Sequence, residues 1–394
     1  MNCNFDKTYC FFSARYLPYL GGVERYTYNL AKELTANGNK VIIVTSLIGN
    51  EAIYEEKEEG TIIRMPSYKV LNGRFPIIKL NKATRRLLNK LKYCHIDAII
   101  INTRFYLLSY VGAKFAKKNR IDAIVIEHGT GHFSINNKFF DFVGHIYEHI
   151  ISRLIKDCIY DYFGVSLECT KWLKHFNINA NGVLYNAINE KEIYDICQKD
   201  NLTVKNMIKY DEHNIIITFA GRLIQEKGVL KLINAFEAVK KRHKNVKLCI
   251  AGDGDLYHKL ITENYEGVYL LGKLSFKDII SLLKLSEIFC LPTDYPEGLP
   301  TSVLEAIACK NFIITTKAGG SKEIILDNTF GIILDQNNEQ ELQEKLLFAI
   351  ENKSIRKSAI EKAYAKVLNE FTWSNTAEKL INFFENTIAK KQAI

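Results

Sequence analysis

Short, almost wholly apolar runs recur along the chain: Val41-Ile-Ile-Val44, Ala98-Ile-Ile-Ile101, Ala123-Ile-Val-Ile126, Ile215-Ile-Ile-Thr-Phe219, Ile288-Phe-Cys-Leu291 and Phe312-Ile-Ile-Thr315. They lack the alternation of a half-exposed strand, so they predict strands of a sheet buried on both faces. Between them apolar residues return at helical spacing, as in Tyr28, Leu30, Ala31 and Leu34, with Gly38 placed to end that helix, and again in Val303, Leu304, Ile307 and Ala308. Strands alternating with helices predict parallel sheets with ligands at the carboxyl ends of their strands. The rhythm pauses over the polar residues 190–214 and restarts at Ile215. We therefore expect two α/β domains with a boundary near residue 190, in keeping with a length of 394 residues.

Composition narrows the class. The chain is 47% hydrophobic and 25% charged, as an ordinary globular protein is. Nine cysteines are scattered without a Cys-x-x-Cys pair, which fits a reducing cytoplasm. The first 20 residues include Asp6, Lys7 and Arg15 and no uninterrupted apolar core, so no signal peptide is expected. No run of about 18 apolar residues predicts a membrane span. Of the net charge of +9, residues 1–200 carry +7 (27 Lys+Arg against 20 Asp+Glu) and the remainder +2. The densest stretch, residues 69–92, holds eight Lys and Arg and no acid, with Ile77, Ile78, Leu80, Leu87, Leu88 and Leu91 between them. It reads either as a basic amphipathic helix on an anionic membrane or as an ordinary surface helix with solvated lysines. No nucleic-acid motif accompanies it.

The most specific chemistry lies in Pro292-Thr-Asp-Tyr-Pro-Glu297-Gly-Leu-Pro-Thr-Ser-Val-Leu-Glu305. Gly298 permits backbone angles that other residues resist, and Pro300 suits a first helical position. The amides of Thr301 and Ser302 then have no partner inside the helix and can face an anion. Glu297 on the loop and Glu305 one turn into the helix can share a crevice, where two acids beside an anion suit hydroxyl groups. Upstream, Gly221-Arg222-Leu-Ile-Gln-Glu-Lys227-Gly228 sets an arginine fork and a lysine point charge five residues apart among glycines, which reads either as a clamp for a diphosphate or as a surface basic pair beside Glu226. Gly21-Gly22 stands between a strand over residues 9–14 and a helix but lacks the Gly-x-Gly-x-x-Gly of a dinucleotide site.

The spacing Glu297-x7-Glu305 with Glu-Gly-Leu-Pro resembles the donor-sugar signature of family 4 retaining glycosyltransferases, and further signatures of that family follow in order along nearly the whole chain. The resemblance implies the GT-B fold, two Rossmann-like domains facing across a cleft: residues 1–190 for the acceptor, with a helix over 375–394 returning to them, and 191–374 for the nucleotide sugar. It implies that Gly21 and Gly22 lie over the donor diphosphate, that Arg222 and Lys227 stabilise it, and that Gly272, Lys273 and Leu274 border the base. Glu297, Gly298, Leu299, Pro300 and Thr301 would hold the sugar and phosphate, Glu305 the ribose, and His128 the sugar near its 6-position. Val183-Leu-Tyr-Asn186-Ala187 departs from the family in having alanine where glycine is usual.

The expected reaction moves a hexose or derivative from a nucleotide diphosphate sugar, UDP-sugar before GDP-sugar, to a hydroxyl with retention. Catalysis would rest on His128, Arg222, Lys227 and Glu297, with no cofactor and no metal. A lipid-linked saccharide at the cytoplasmic membrane face is the expected acceptor, on the strength of residues 69–92. The alternatives are an epimerase or soluble synthase of the same fold and an inert sugar-nucleotide-binding subunit. His145-Ile-Tyr-Glu148-His149 matches a zinc-protease pattern, for which Glu168 would be the nominal third ligand. As an isolated motif it is read as coincidence, and its helix is assigned to packing through Ile146, Ile150 and Ile151.

Overall fold

A computed structural model describes residues 7–19, 21–135, 137–263 and 265–392. Leu20, in the glycine stretch, and residues 393 and 394, at the end of the expected final helix, lie outside the described residues. The chain divides into two compact units, Met1–Asn186 with Trp373–Ile394, and Ala187–Thr372.

Among the described residues the first unit is built on nine strands: β1 (Thr8–Ser13), β2 (Lys40–Leu47), β3 (Tyr54–Lys57), β4 (Gly60–Val70), β5 (Phe75–Ile78), β6 (Ala98–Asn102), β7 (Asp122–Glu127), β8 (Asp161–Gly164) and β9 (Gly182–Val183). Their order is β3-β4-β2-β1-β6-β7-β8-β9, with β5 on β4. From β4 to β9 the pairing is parallel, and only β3 and β5 run antiparallel to β4. Helices α1 (Gly22–Ala36), α2 (Lys82–Leu91), α3 (Leu107–Asn119), α4 (Lys138–Lys156) and α5 (Leu167–Leu173) connect them. One face packs Phe12, Ile42, Val44, Ile99, Ile101 and Val125 against Ala113, Phe115, Ile151 and Ile155 from α3 and α4. Strand order reverses at β1 and β6, so a crevice is expected where Ser13 and Asn102 end those strands.

The second unit carries β10 (Ile215–Ala220), β11 (Val246–Ala251), β12 (Val268–Gly272), β13 (Ile288–Leu291), β14 (Phe312–Thr316) and β15 (Ile332–Leu334). All are parallel, in the order β12-β11-β10-β13-β14-β15. This is the doubly wound order of a dinucleotide-binding domain, with its switch point between β10 and β13. The polar residues after 190 form two short helices, Glu190–Cys197 and Leu202–Met207, of this unit.

The chain's last helix, Trp373–Gln392, belongs to the first unit. Trp373 meets Tyr26 edge-on at 5.2 Å between ring centroids, Phe383 meets Phe163 at 5.0 Å, and Phe384 approaches Tyr9 at 6.1 Å. Where the chain leaves and re-enters this unit, Ile188 bridges Thr372.

Two expectations change. Residues 69–92 are not one helix: they comprise the end of β4, a turn through Gly73, strand β5 containing Pro76, and only then α2. In α2 the leucines Leu87, Leu88 and Leu91 turn inward to the core, leaving Lys82, Arg85, Arg86 and Lys90 exposed. In α4 the buried face is Glu148, Ile151, Ser152 and Ile155, whereas Ile146 and Ile150 are exposed. The cause is Arg104, whose buried guanidinium draws Glu148 into the interior and sets the rotation of the helix. Among the described residues no helix is long and apolar enough to cross a membrane.

Candidate active site

In the second unit the loops at the carboxyl ends of β10, β11, β12 and β13 are tied into one rim. Gly221 N donates to Ala251 O at 3.1 Å, Leu223 N to Asp253 O at 2.9 Å and Gly252 N to Gly272 O at 2.8 Å. Asp294 N and Tyr295 N both donate to Glu226 O, which fastens the loop after β13 to the Arg222–Lys227 loop. Gly228 sits between them at φ +76°, where a Cβ would come within 2.0 Å of Pro292 O. Only glycine allows that approach, so Gly228 sets the separation of the two loops.

The charged residues meet on this rim. Lys227 Nζ pairs with Glu297 Oε1, both side chains about one-eighth exposed. Thr293 Oγ1 also lies 3.4 Å from that oxygen. The Tyr295 ring lies under both cations, 4.8 Å from the Arg222 guanidinium and 5.2 Å from Lys227 Nζ. Arg222 itself is exposed. The Gly298 carbonyl accepts from Gly320 N at 2.8 Å, and a Cβ on Gly319 would meet Glu297 O at 2.4 Å, so the second glycine pair supports the Glu297 turn from behind.

Pro300 is the residue before the helix Thr301–Ala308, one position earlier than its ring chemistry suggested, and no side chain caps that helix. Its leading amides, Thr301 first, are therefore left to an external acceptor. Leu299 and Pro300 are buried and Glu305 is only 5% exposed, with partners of its own. Gly272, at φ +64°, turns the chain at the end of β12, with Lys273 exposed and Leu274 half-buried beyond it.

In the first unit, Gly21 precedes α1 in an extended conformation, and a Cβ built on it would come within 2.4 Å of Glu24 Oε2, whereas among the described residues nothing lies within 4 Å of a Cβ built on Gly22. The backbone at Gly22 is open on that side. His128 follows β7, and its Nε2 is 3.0 Å from Asn102 Oδ1. Asn102 Nδ2 in turn donates to Thr27 Oγ1 at 2.7 Å, and Thr27 donates to Val23 O at 2.8 Å. With the amide so oriented, Nε2 carries the proton and Nδ1 is left as an acceptor. Tyr26 packs edge-on to the imidazole at 4.7 Å. Desolvation pushes the His128 pKa down to about 3, so the ring is neutral at ordinary pH.

Behind His128 lies a buried charge group that the sequence did not disclose. Arg104 Nη1 contacts Glu127 at 2.9 Å and Nη2 contacts Glu148 at 3.3 Å, all three residues being at most 2% exposed. Glu127 Oε1 also accepts from the amides of His128 and Gly129. Burial pushes the Glu127 carboxyl above its ordinary range, against the pull of Arg104 and those amides. Asn102 and Arg104 had a faint signal, as the first polar residues beyond a fully apolar strand. Tyr295 lay inside the motif but has no chemistry until its ring is seen beneath two cations.

Residues 20–191 match the family described as Glycosyltransferase Family 4, and residues 174–366 match Glycosyl transferases group 1. An uncharacterized glycosyltransferase of Methanocaldococcus jannaschii is 27% identical, covering 96% of this chain and 98% of its own. One component of the human phosphatidylinositol N-acetylglucosaminyltransferase is 25% identical over 94% of this chain and 74% of its own. Among solved structures, Anabaena HepE in complex with UDP superposes with a TM-score of 0.74 at 17% identity, covering 96% of this chain and 99% of that one. The fold is therefore GT-B, and the chain belongs to the family 4 glycosyltransferases.

Proposed function

We propose that this protein transfers a hexose or hexose derivative from a UDP-sugar to a hydroxyl of a lipid-linked saccharide, with retention and without a divalent metal in the transfer step. The observation that carries the reading is the Lys227–Glu297 pair on the rim shared with Arg222 and the uncapped helix at Thr301. Without a donor the two charges mask one another. With a donor, Lys227 and Arg222 turn to the diphosphate and Glu297 accepts from a sugar hydroxyl, while Glu305 takes ribose hydroxyls. As the bond from the anomeric carbon to the phosphate oxygen breaks, the cations and the Thr301 amide stabilise charge on the leaving group. The acceptor oxygen bonds to the same face, and its proton passes to the departing phosphate oxygen. His128, neutral and with Nδ1 free of the Asn102 bond, accepts from a sugar hydroxyl.

UDP in the HepE complex supports the nucleotide, and phosphatidylinositol in the human relative's name supports a lipid acceptor. A membrane surface also suits the first unit. The face of α4 left outward carries Phe139, Phe142, Val143, Ile146 and Ile150, each between 47% and 70% exposed. Phe75 of β5 touches Tyr147 of α4, which brings the basic 69–92 segment to the same side. An apolar stripe beside a basic one fits the boundary of an anionic leaflet, at the cytoplasmic face of the membrane.

Calorimetric titration with UDP, GDP and ADP, repeated on Lys227→Ala, tests the donor site. UDP is expected to bind selectively, and more weakly to the variant; absence of any binding at millimolar concentration would sink the proposal. Anomeric analysis of the product by NMR tests retention. Flotation with phosphatidylserine vesicles at low salt tests the membrane side, which fails if the protein stays at the bottom of the gradient.

A further inference from the structure

His132, His149 and His175 come from three separate segments of the first unit: the loop after β7, the fourth turn of α4, and a short 3-10 turn, Lys174–Phe176, after α5. One ring nitrogen from each lies within 4.8 Å of the other two. We infer that these three histidines form a site for one zinc-type divalent ion, with its fourth position open.

The surroundings are those of a ligand set. Neutral imidazoles suit zinc, nickel and copper. A metal-bound histidine normally donates its second ring nitrogen to a carboxylate or carbonyl that fixes its tautomer. His132 has such a partner: its Nδ1 lies 2.9 Å from Glu148 Oε2, which leaves Nε2 for the ion. Glu148 is itself held, accepting from Phe133 N at 2.7 Å and facing Arg104 at 3.3 Å.

Glu148 Oε2 is shared between Arg104 and His132, so the carboxylate that fixes the His132 ring is itself fixed by a buried guanidinium. Tetrahedral nitrogens at about 2.0–2.1 Å from zinc stand roughly 3.3 Å apart. His149 and His175 are exposed and can make that small closure by ring rotation.

The motif in the sequence thus divides differently from a zinc protease. His149 is a ligand, Glu148 supports one, and His145 stacks on His132 at 4.0 Å between centroids as part of the wall. Glu168 is exposed and paired with Lys171 at 2.6 Å. A bound ion would clamp the loop that follows His128 onto α4 and the turn after α5. None of these three histidines belongs to the proposed donor site.

The test uses the full chain, purified without a histidine tag and stripped with a chelator, titrated with zinc chloride alone. One equivalent is expected to bind to the wild type and to raise its unfolding temperature. Co2+ is expected to give the intense visible absorption of a tetrahedral site. His149→Ala and His175→Ala, at exposed positions, should weaken zinc about tenfold or more. Both should keep the zinc-free melting temperature of the wild type, and His145→Ala should keep the site. No uptake by the wild type, or undiminished uptake by the His149→Ala/His175→Ala double variant, overturns the inference and leaves a packed group of aromatic rings.

Discussion

The two units present their candidate site residues at equivalent places, the carboxyl ends of strands beside a switch point, with opposite electrostatics there. In the second unit the candidate groups are charged and partly buried on the rim, Lys227 held against Glu297 with Tyr295 beneath it. In the first, the presented group is a neutral imidazole, aligned through Asn102 and Thr27, while the charges of Arg104, Glu127 and Glu148 are buried behind it. A diphosphate requires cations that can change partners. A sugar hydroxyl requires an acceptor whose direction is fixed, and a neutral chain of hydrogen bonds fixes it without a further desolvated charge.

The sharpest way to break this contrast is Arg104→Met. It leaves two carboxylates in the interior without their cation and should cost about 3–5 kcal/mol of folding stability. Denaturant unfolding would read it. Lys227→Ala should do the reverse, with a smaller stability change but a transfer rate lower by about 10²–10³, as for the loss of one oriented charge at a leaving group. Steady-state kinetics on folded protein separates the two. Gly228→Ala comes next. It combines a left-handed backbone with the approach to Pro292 O, and a loss of about 2 kcal/mol or more is expected, together with weaker UDP binding because the two loops part.

At neutral pH the smallest effect concerns His128, whose contribution shows only as the pH falls. Its folded pKa near 3 lies below the ordinary 6.5, so between these values the unfolded chain binds more protons. Its contribution to stability is therefore complete above about pH 6.5 and lost as the pH falls towards 3. His128→Gln should flatten that part of the stability profile. The variant should transfer sugar more slowly, yet the rate profile between pH 5 and 8 should keep its shape. An inflection in that window that the substitution removes would show that His128 titrates in function.

Much of this was legible because the strands are apolar throughout and the donor loops announce themselves by glycines and charges at fixed spacing. Arg222, Lys227, Glu297 and the Gly272 turn all lie on one rim for that reason. The face of α4 was misread because periodicity assumes that apolar residues point inward. There a buried arginine claimed Glu148, and Ile146 and Ile150 were left outside. The 69–92 segment was misread because charge density says nothing of backbone: Gly73 and Pro76 break what the lysines alone suggest is one helix. The histidine cluster was hidden for a third reason. His132 and His175 are 43 residues apart in sequence, and only the packing of α4 against the turn after α5 brings them together.

The return of the final helix to the first unit has a consequence for how the protein is made. During synthesis, residues 187–372 can leave the ribosome complete and fold as they emerge. The first unit, begun earlier, must wait: until residues 373–392 are added, Tyr9, Tyr26 and Phe163 lack the aromatic partners that cover them. The nascent chain therefore carries an unfinished hydrophobic seam while residues 187–372 are being added, and the first unit closes only after the second is complete.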